Sequence, residues 1–386
     1  MFPAGAFDSG EGAVQDGCRG EAMRANRPGI ACFITPHGFG HAARAAAVVG
    51  ALGERVRGLQ AHLFTTVPRW FFNESLGMDF IHHRLETDVG LVQHGPLGED
   101  LPATVARLRV LYRPADALVT HLAGRLSRLG CRLVLCDISP LGIAVARAAG
   151  LPCVLVENFT WGWIYRGCGT REPGLLPFAE ILDGLVDGAD LRLQAQPVCR
   201  PAAGAVQVGP ISRPPRLARA AMRAALGIAG RRPALLVTMG GIPHGGFAVK
   251  PLLDLPGVEF ILAGAARRRR RVGNVLLLPH HSGLYHPDLV AASDAVVGKI
   301  GYSTVAETCR SRVPYGFVPR SGFRESAVLA RWLVVRGRGL RIDPAAFTSG
   351  EWVRRIPDLL DLGRPPERFP DGARQAARLI LERFGI

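Results

Sequence analysis

Two short stretches of the chain carry residues whose types and spacing suit phosphate and proton chemistry. In Asp294-Ala-Val-Val-Gly-Lys-Ile-Gly-Tyr-Ser-Thr-Val-Ala-Glu-Thr308, an apolar strand (Ala295 to Val297) runs into Gly301, and a helix is expected to begin with Ser303 and Thr304. A strand, a glycine turn and a hydroxyl-rich helix start make a phosphate cradle. The first amides of a helix lack intrahelical acceptors, and the helix dipole favours negative charge there. Glu307 follows Ser303 by one turn on the same face, where it would accept hydrogen bonds from ribose hydroxyls. The plainer alternative is an ordinary turn of a Rossmann-like sheet.

Near the other end of the chain, Ile30 to Thr35 read as a buried strand. It is followed by Pro36-His37-Gly38-Phe39-Gly40-His41-Ala-Ala-Arg44 and an alanine-rich helix reaching about Arg55. His41 opens that helix. A helix N-terminus disfavours imidazolium, so a histidine there suits the removal of a proton from an acceptor hydroxyl. The alternative is a histidine that only bonds the turn. His37 lies before the helix, and without an H-E-x-x-H glutamate no zinc pair is expected.

Asp137 ends the run Arg132 to Cys136 and would lie at the top of a parallel strand. It could orient His41, or it could cap the helix Leu141 to Ala149. Glu157-Asn-Phe-Thr-Trp161-Gly-Trp163-Ile-Tyr165 follows another strand end. Such aromatics in a loop could stack on sugar rings while Asn158 and Glu157 bind hydroxyls; the alternative is a loop packed on the core. In the second half, Met239-Gly240-Gly241 follows the strand Ala234 to Thr238, with His244 three residues on. Glycines there would let backbone amides approach a phosphate closely.

The pattern G-H-x-x-R after the first strand (Gly40 to Arg44), paired with G-x-x-T-x-x-E late in the chain (Gly301 to Glu307), resembles the GT-B glycosyltransferases. The likeness extends to the MurG-type, family 28 branch and to the glycosyltransferase-like half of L-arabinokinases and their bacterial relatives. It rests on His37 to His41, Asn158 to Tyr165, Lys299 to Glu307 and Phe323-Arg324-Glu325, spread over about residues 30 to 330. The resemblance implies an α/β protein of GT-B architecture, two Rossmann-like domains with parallel sheets facing a central cleft. It implies a nucleotide-sugar donor, UDP-linked, an acceptor entering from the N-terminal half, and transfer with inversion.

In that scheme His41 is the general base and Asp137 its partner. Gly240, Gly241, His244, Gly301, Ser303, Thr304, Glu307, Arg324 and Glu325 hold the donor; His37, Gly38, Gly40, Asn158, Trp161 and Trp163 face the acceptor. Two positions depart from the relatives: Gly162 where they usually carry aspartate, and Ser326 where they often carry glutamine. No D-x-D occurs in the chain, so no metal and no cofactor are expected. A non-catalytic nucleotide- or sugar-binding protein and a nucleotide-sugar epimerase are the alternative readings of the same scaffold.

The elements that must position these residues read as βαβ grammar throughout. Short apolar runs at Ile30–Thr35, Ala61–Thr66, Phe80–His82, Arg132–Cys136 and Cys153–Val156 alternate with helical patterns, one of them expected as a single helix from Leu101 to Leu129. The alternation restarts with Ala234–Thr238, Glu259–Ala263, Val275–Leu278, Ala295–Val297 and Tyr315–Val318. The expected organisation is a disordered extension 1–28, an acceptor domain 29–209, a proline-rich linker 210–216, a donor domain 217–365 and a final segment 366–386. By resemblance, that last helix packs back on the first domain.

The chain has 386 residues, 48% of them hydrophobic, and a net charge of +15. Lys250 and Lys299 are the only lysines among 47 basic residues, which reads as GC-biased codon usage rather than as a nucleic-acid surface. The run Arg267 to Arg271 reads as a solvated loop or as a patch for an anionic membrane surface. Eight cysteines without C-x-x-C spacing read as buried thiols in a reducing, cytoplasmic setting. No signal peptide is expected, and Met23 is a candidate start.

Overall fold

A computed structural model of the chain describes residues 28–94, 98–112, 116–228, 230–240 and 248–386. The expected N-terminal extension, with Cys18 and Met23, lies outside the described residues.

The first half is built on a seven-stranded sheet of β1 (Gly29–Ile34), β2 (Gln60–Phe64), β3 (Phe80–His83), β6 (Cys131–Asp137), β7 (Cys153–Glu157), β8 (Leu191–Ala195) and β9 (Val206–Val208). Between β3 and β6, β4 (Val92–Gln93) and β5 (Glu99–Asp100) pair as a small antiparallel ribbon. The second half repeats the plan with β10 (Ala234–Thr238), β11 (Glu259–Leu262), β12 (Arg270–Val272), β13 (Val275–Leu277), β14 (Ala295–Lys299), β15 (Tyr315–Val318) and β16 (Gly339–Arg341). All neighbours are parallel except β12, which returns antiparallel on β13. The strand cores are continuous apolar runs because helices cover both faces.

Strand order explains where the chemistry sits. The first sheet runs β3-β2-β1-β6-β7-β8-β9 and the second β12-β13-β11-β10-β14-β15-β16. The direction of winding therefore reverses between β1 and β6 and again between β10 and β14. Crevices at such reversals, outside the carboxyl ends of the strands, are where open α/β sheets bind ligands. His41 follows β1 and Asp137 ends β6; Gly240 follows β10 and Gly301 follows β14.

The helix Phe39–Gly53 is rich in alanine, a strong helix former with little bulk. That small side chain lets it lie buried between the first sheet and two other helices, Tyr302–Ser311 and Gly372–Phe384. Asp371 caps the last of these through the amides of Ala373 and Arg374. Its Ala373, Ala376, Ala377 and Ile380, spaced along one face, enter the core of the first half.

Two expectations about elements are corrected. The single helix over 101–129 is two helices, Leu101–Leu111 and Asp116–Arg128, and Pro114 in the intervening sequence cannot continue a helix. The arginine run is not all loop: Arg270–Val272 is an edge strand, Arg269 and Arg271 donate to the carbonyls of Ala225 and Leu226, and Arg271 also pairs with Glu259. Among the described residues the cysteines are free thiols, and no helix is long and apolar enough to cross a membrane.

Candidate active site

Two connected cavities open between the halves. The larger, about 810 Å³, has walls from both sheets, including Phe39, Trp70 and Arg213 on one side and Gly264, His280 and Glu307 on the other. The smaller, about 590 Å³, is lined by His37, Gly38, His41, Arg44 and Gln93 facing Lys299, Gly301, Arg320 and Glu325. Phe39, Gly240, Ser303 and Thr304 border both cavities and mark the passage between them.

Two helix starts meet at that passage. Gly38 ends the turn after β1 at φ 73°, a conformation that only glycine adopts freely, and Phe39–Gly53 begins there without a side-chain cap. Opposite, Gly301 opens Tyr302–Ser311, also without a side-chain cap. The first backbone bond of that helix runs from the Val305 amide to Gly301, so the three amides before it lack an intrahelical acceptor. A side-chain carbon added at Gly40 would lie 3.6 Å from Ser303 Oγ, which measures how closely the two starts approach. The helix begins one residue earlier than the sequence suggested.

On the first-half side, His41 Nδ1 lies 3.0 Å from Asp137 Oδ1. Arg44, one turn along and 1% exposed, grips the same carboxylate with Nε to Oδ2 and Nη2 to Oδ1, both at 2.8 Å. Burial pushes the Asp137 carboxyl up, but the Arg44 charge and the hydrogen bonds from His41 and Arg44 outweigh it and hold it below the usual range. An ionised Asp137 only accepts, so His41 donates from Nδ1 and Nε2 is left as the basic nitrogen of the ring. The next residue, Ile138, has φ 43°, a strained setting for a β-branched residue beside a polar network. Asp137 does not cap the following helix; Ser139 holds the N-cap position.

The network crosses the cleft. Arg44 Nη1 donates to Asn158 Oδ1 at 2.5 Å, and Asn158 Nδ2 donates to Glu325 Oε1 at 2.7 Å. Burial raises the Glu325 carboxyl, with Asn158, His41, Arg320 and Arg44 pulling the other way. Arg320 reaches back to Glu99 at 3.1 Å and lies over the Phe323 ring. Ser326, the departure from glutamine, accepts a hydrogen bond from the Arg320 amide. His37 stacks on Phe323 with centroids 6.0 Å apart. Burial, then Arg320, His41 and Lys299, hold its imidazole well below its ordinary range.

The expected site residues fall in different places. His37, Gly38, Gly40, His41, Gly240, Gly301, Ser303, Thr304 and Glu325 line the smaller cavity; Glu307 lines the larger; Asp137 stands behind His41. Asn158, Trp161, Trp163 and Arg324 line neither. Asn158 is fully buried in the bridge between Arg44 and Glu325. Trp161 and Trp163, 1% and 7% exposed, pack in a core with Tyr165 and Phe323 rather than offering faces to a sugar. Arg324 lies 4.3 Å over Trp163 and donates to its carbonyl, fastening the halves together outside the cavity. Gly241 and His244 lie outside the described residues.

Glu307 is also not the free carboxylate the sequence suggested. Its oxygens bind Arg213 Nη2 at 2.8 Å and His286 Nδ1 at 2.7 Å. Burial raises its carboxyl, but Arg213 and His286 prevail and bring it down to about 2. Sequence reading passed over Arg44, Gln93, Lys299, Arg320 and Arg213. Arg44 stood inside the G-H-x-x-R pattern, and Lys299 was conspicuous as one of two lysines. Gln93 Nε2 and Arg320 Nε are buried without partners among the described residues. Among the described residues, no cluster of three His, Cys, Asp or Glu side chains is placed to hold a metal ion.

No family model matches the chain. It is 27% identical over 363 residues to the L-arabinokinase of Arabidopsis thaliana, covering 92% of this chain and 34% of that protein. It is 33% identical over 162 residues to the UDP-N-acetylglucosamine–N-acetylmuramyl-(pentapeptide) pyrophosphoryl-undecaprenol N-acetylglucosamine transferase of Paenarthrobacter aurescens, covering 38% of this chain and 43% of that one. The chain thus spans less than half the length of either relative. Among solved structures, spinosyn forosaminyltransferase superposes with a TM-score of 0.60 at 18% identity, over 93% of this chain and 95% of that chain. The protein has the GT-B fold, and its homologues and structural neighbours include glycosyltransferases.

Proposed function

We propose that the protein is a glycosyltransferase that moves a sugar from a nucleotide-sugar donor, UDP-linked, to an acceptor hydroxyl, with inversion and without a metal ion. One observation carries this reading: two uncapped helix starts meet across a single passage, with a carboxylate-held histidine on one of them. In this scheme the nucleoside occupies the larger cavity near His280 and Glu307. The diphosphate lies beside Gly240 at Ser303 and Thr304, whose free amides and helix dipole favour negative charge. The sugar occupies the smaller cavity, within reach of Glu325 and the partnerless amide of Gln93.

His41 Nε2 takes the acceptor proton, and the acceptor oxygen bonds to the anomeric carbon. The bond from that carbon to the diphosphate oxygen breaks, and its electron pair leaves with the nucleoside diphosphate. The UDP assignment draws on the Paenarthrobacter relative, whose name specifies a UDP-linked N-acetylglucosamine. The test is a panel of radiolabelled UDP-sugars, followed for UDP release with and without EDTA. Release from at least one donor, undiminished by EDTA, is expected. No release from any donor would favour the binding-protein alternative, and a loss in EDTA would end the metal-free scheme.

A second partner, an anionic membrane surface, is proposed for Arg267 and Arg268 beside the edge strand and Arg270 at its start, all of which stay exposed. Co-sedimentation with phosphatidylserine vesicles, lost when these three become alanine, is the expected result.

A further inference from the structure

Lys299 ends β14, one residue before the turn into Tyr302–Ser311. It is 8% exposed and lines the smaller cavity, yet its ammonium has no hydrogen-bond or ion-pair partner among the described residues. A side-chain carbon built at Gly240 would lie 3.4 Å from Lys299 Cε and 3.7 Å from Nζ. The amine therefore sits against the left-handed glycine that borders both cavities. Its backbone carbonyl is held by the Tyr315 hydroxyl at 2.5 Å, which fixes the root of the side chain. The arginine-rich composition adds a chemical hint. Arginine stays charged and strongly prefers a fixed partner, whereas lysine is a compact charge that burial readily tunes.

We propose that Lys299 is the counter-charge of the departing diphosphate, an amine held without a partner among the described residues and charged when the donor supplies one. This rests on the glycosyltransferase reading above. As the bond between the anomeric carbon and the phosphate oxygen breaks, its electron pair stays on that oxygen. The ammonium keeps its proton and meets the new charge with a charge-assisted hydrogen bond. The acceptor proton goes to His41 on the opposite wall, so each charge that develops has its own group.

The electrostatics agree with this geometry. Burial and then Arg320 lower the Lys299 amine to about 7, while Glu325 and Glu99 oppose them. The groups facing it are Arg320 and Glu325 from the second half and Glu99 and His37 from the first, all described above. With its proton affinity lowered by burial, the amine of the empty site gives up its proton more readily than an exposed lysine, and an arriving diphosphate raises that affinity again. Donor binding then takes up a proton.

The test titrates UDP and uridine into the whole protein and into Lys299→Met and Lys299→Arg, at pH 8 in two buffers of different ionisation enthalpy. For Lys299→Met, UDP affinity is expected to fall by about 10- to 100-fold, in line with the loss of one charged hydrogen bond, while uridine affinity stays within about twofold. Proton uptake on UDP binding should be present in the wild type and absent from Lys299→Met. Lys299→Arg should recover part of the affinity, which a purely structural role would not produce. Wild-type protein that prefers UDP over uridine, with Lys299→Met doing so equally, overturns the assignment and leaves the donor site standing. Wild-type protein that binds UDP no better than uridine removes the diphosphate site itself, and the inference with it.

Discussion

The turn after β1 and the turn after β14 each feed an uncapped helix from a glycine, left-handed at Gly38 and extended at Gly301, yet their side chains differ sharply. The first places His41 and Arg44 against Asp137 at the end of β6, in a network in which each charged group has a partner. The second offers backbone amides, the hydroxyls of Ser303 and Thr304, and an amine without a partner among the described residues. A polar group in a dry crevice costs free energy unless it is satisfied. A finished network therefore suits a base that must keep its orientation, and an unfinished one suits a ligand that brings its own charge. The difference gives the cleft a direction: proton removal on one wall, leaving-group charge on the other.

The largest effect should come from His41→Ala, with turnover down roughly 10²–10⁴-fold and UDP affinity nearly intact. An equal loss of both would mean that His41 belongs to the donor wall, and the two walls would no longer be distinct. Next comes stability. Asp137→Ala leaves Arg44 buried beside no carboxylate, which should cost about 3–5 kcal/mol in chemical unfolding. Lys299→Met, on the unfinished wall, breaks no pair, so it should not lower the melting temperature. Comparable losses in both variants would erase the contrast.

A smaller, pH-dependent effect belongs to Glu307. Its folded carboxyl is depressed from 4.5 to about 2, so its contribution is present above pH 4.5 and lost as pH falls through about 2. That contribution is about 3 kcal/mol, and Glu307→Gln should remove it from the acid-unfolding profile. An unchanged profile would show that Arg213 and His286 do not hold Glu307 as the geometry indicates.

Much of this was legible in the sequence because it depends on the order of apolar runs and on glycine. The parallel strands and the glycine turns after two of them could be read from pattern, and the final helix within 366–386 from the resemblance. The pairing of His41 with Asp137 was one of two readings of a carboxylate at a parallel strand end, the other being a helix cap, and the GT-B resemblance favoured it. The tryptophans were not legible: Trp161 and Trp163 after a strand end look alike whether they face a cleft or a core, and only the packing of Tyr165 and Phe323 against them decides. The bridge Arg44–Asn158–Glu325 joins residues up to 281 positions apart, and no local pattern announces it. The ties of Glu307 to Arg213 and His286 were missed for the same reason. Arg213 lies in a proline-rich stretch without regular structure, where sequence gives no side-chain direction.

Donor charge is received on the β14 wall and the acceptor proton on the β1 wall. A crystal structure of the protein with UDP tests it most directly. The β-phosphate is expected at the amides of Ser303 and Thr304 and at Lys299 Nζ, with the nucleoside between His280 and Glu307 and the His41 ring left free. UDP seated against His41 and Arg44, or away from the passage between the two cavities, would contradict it.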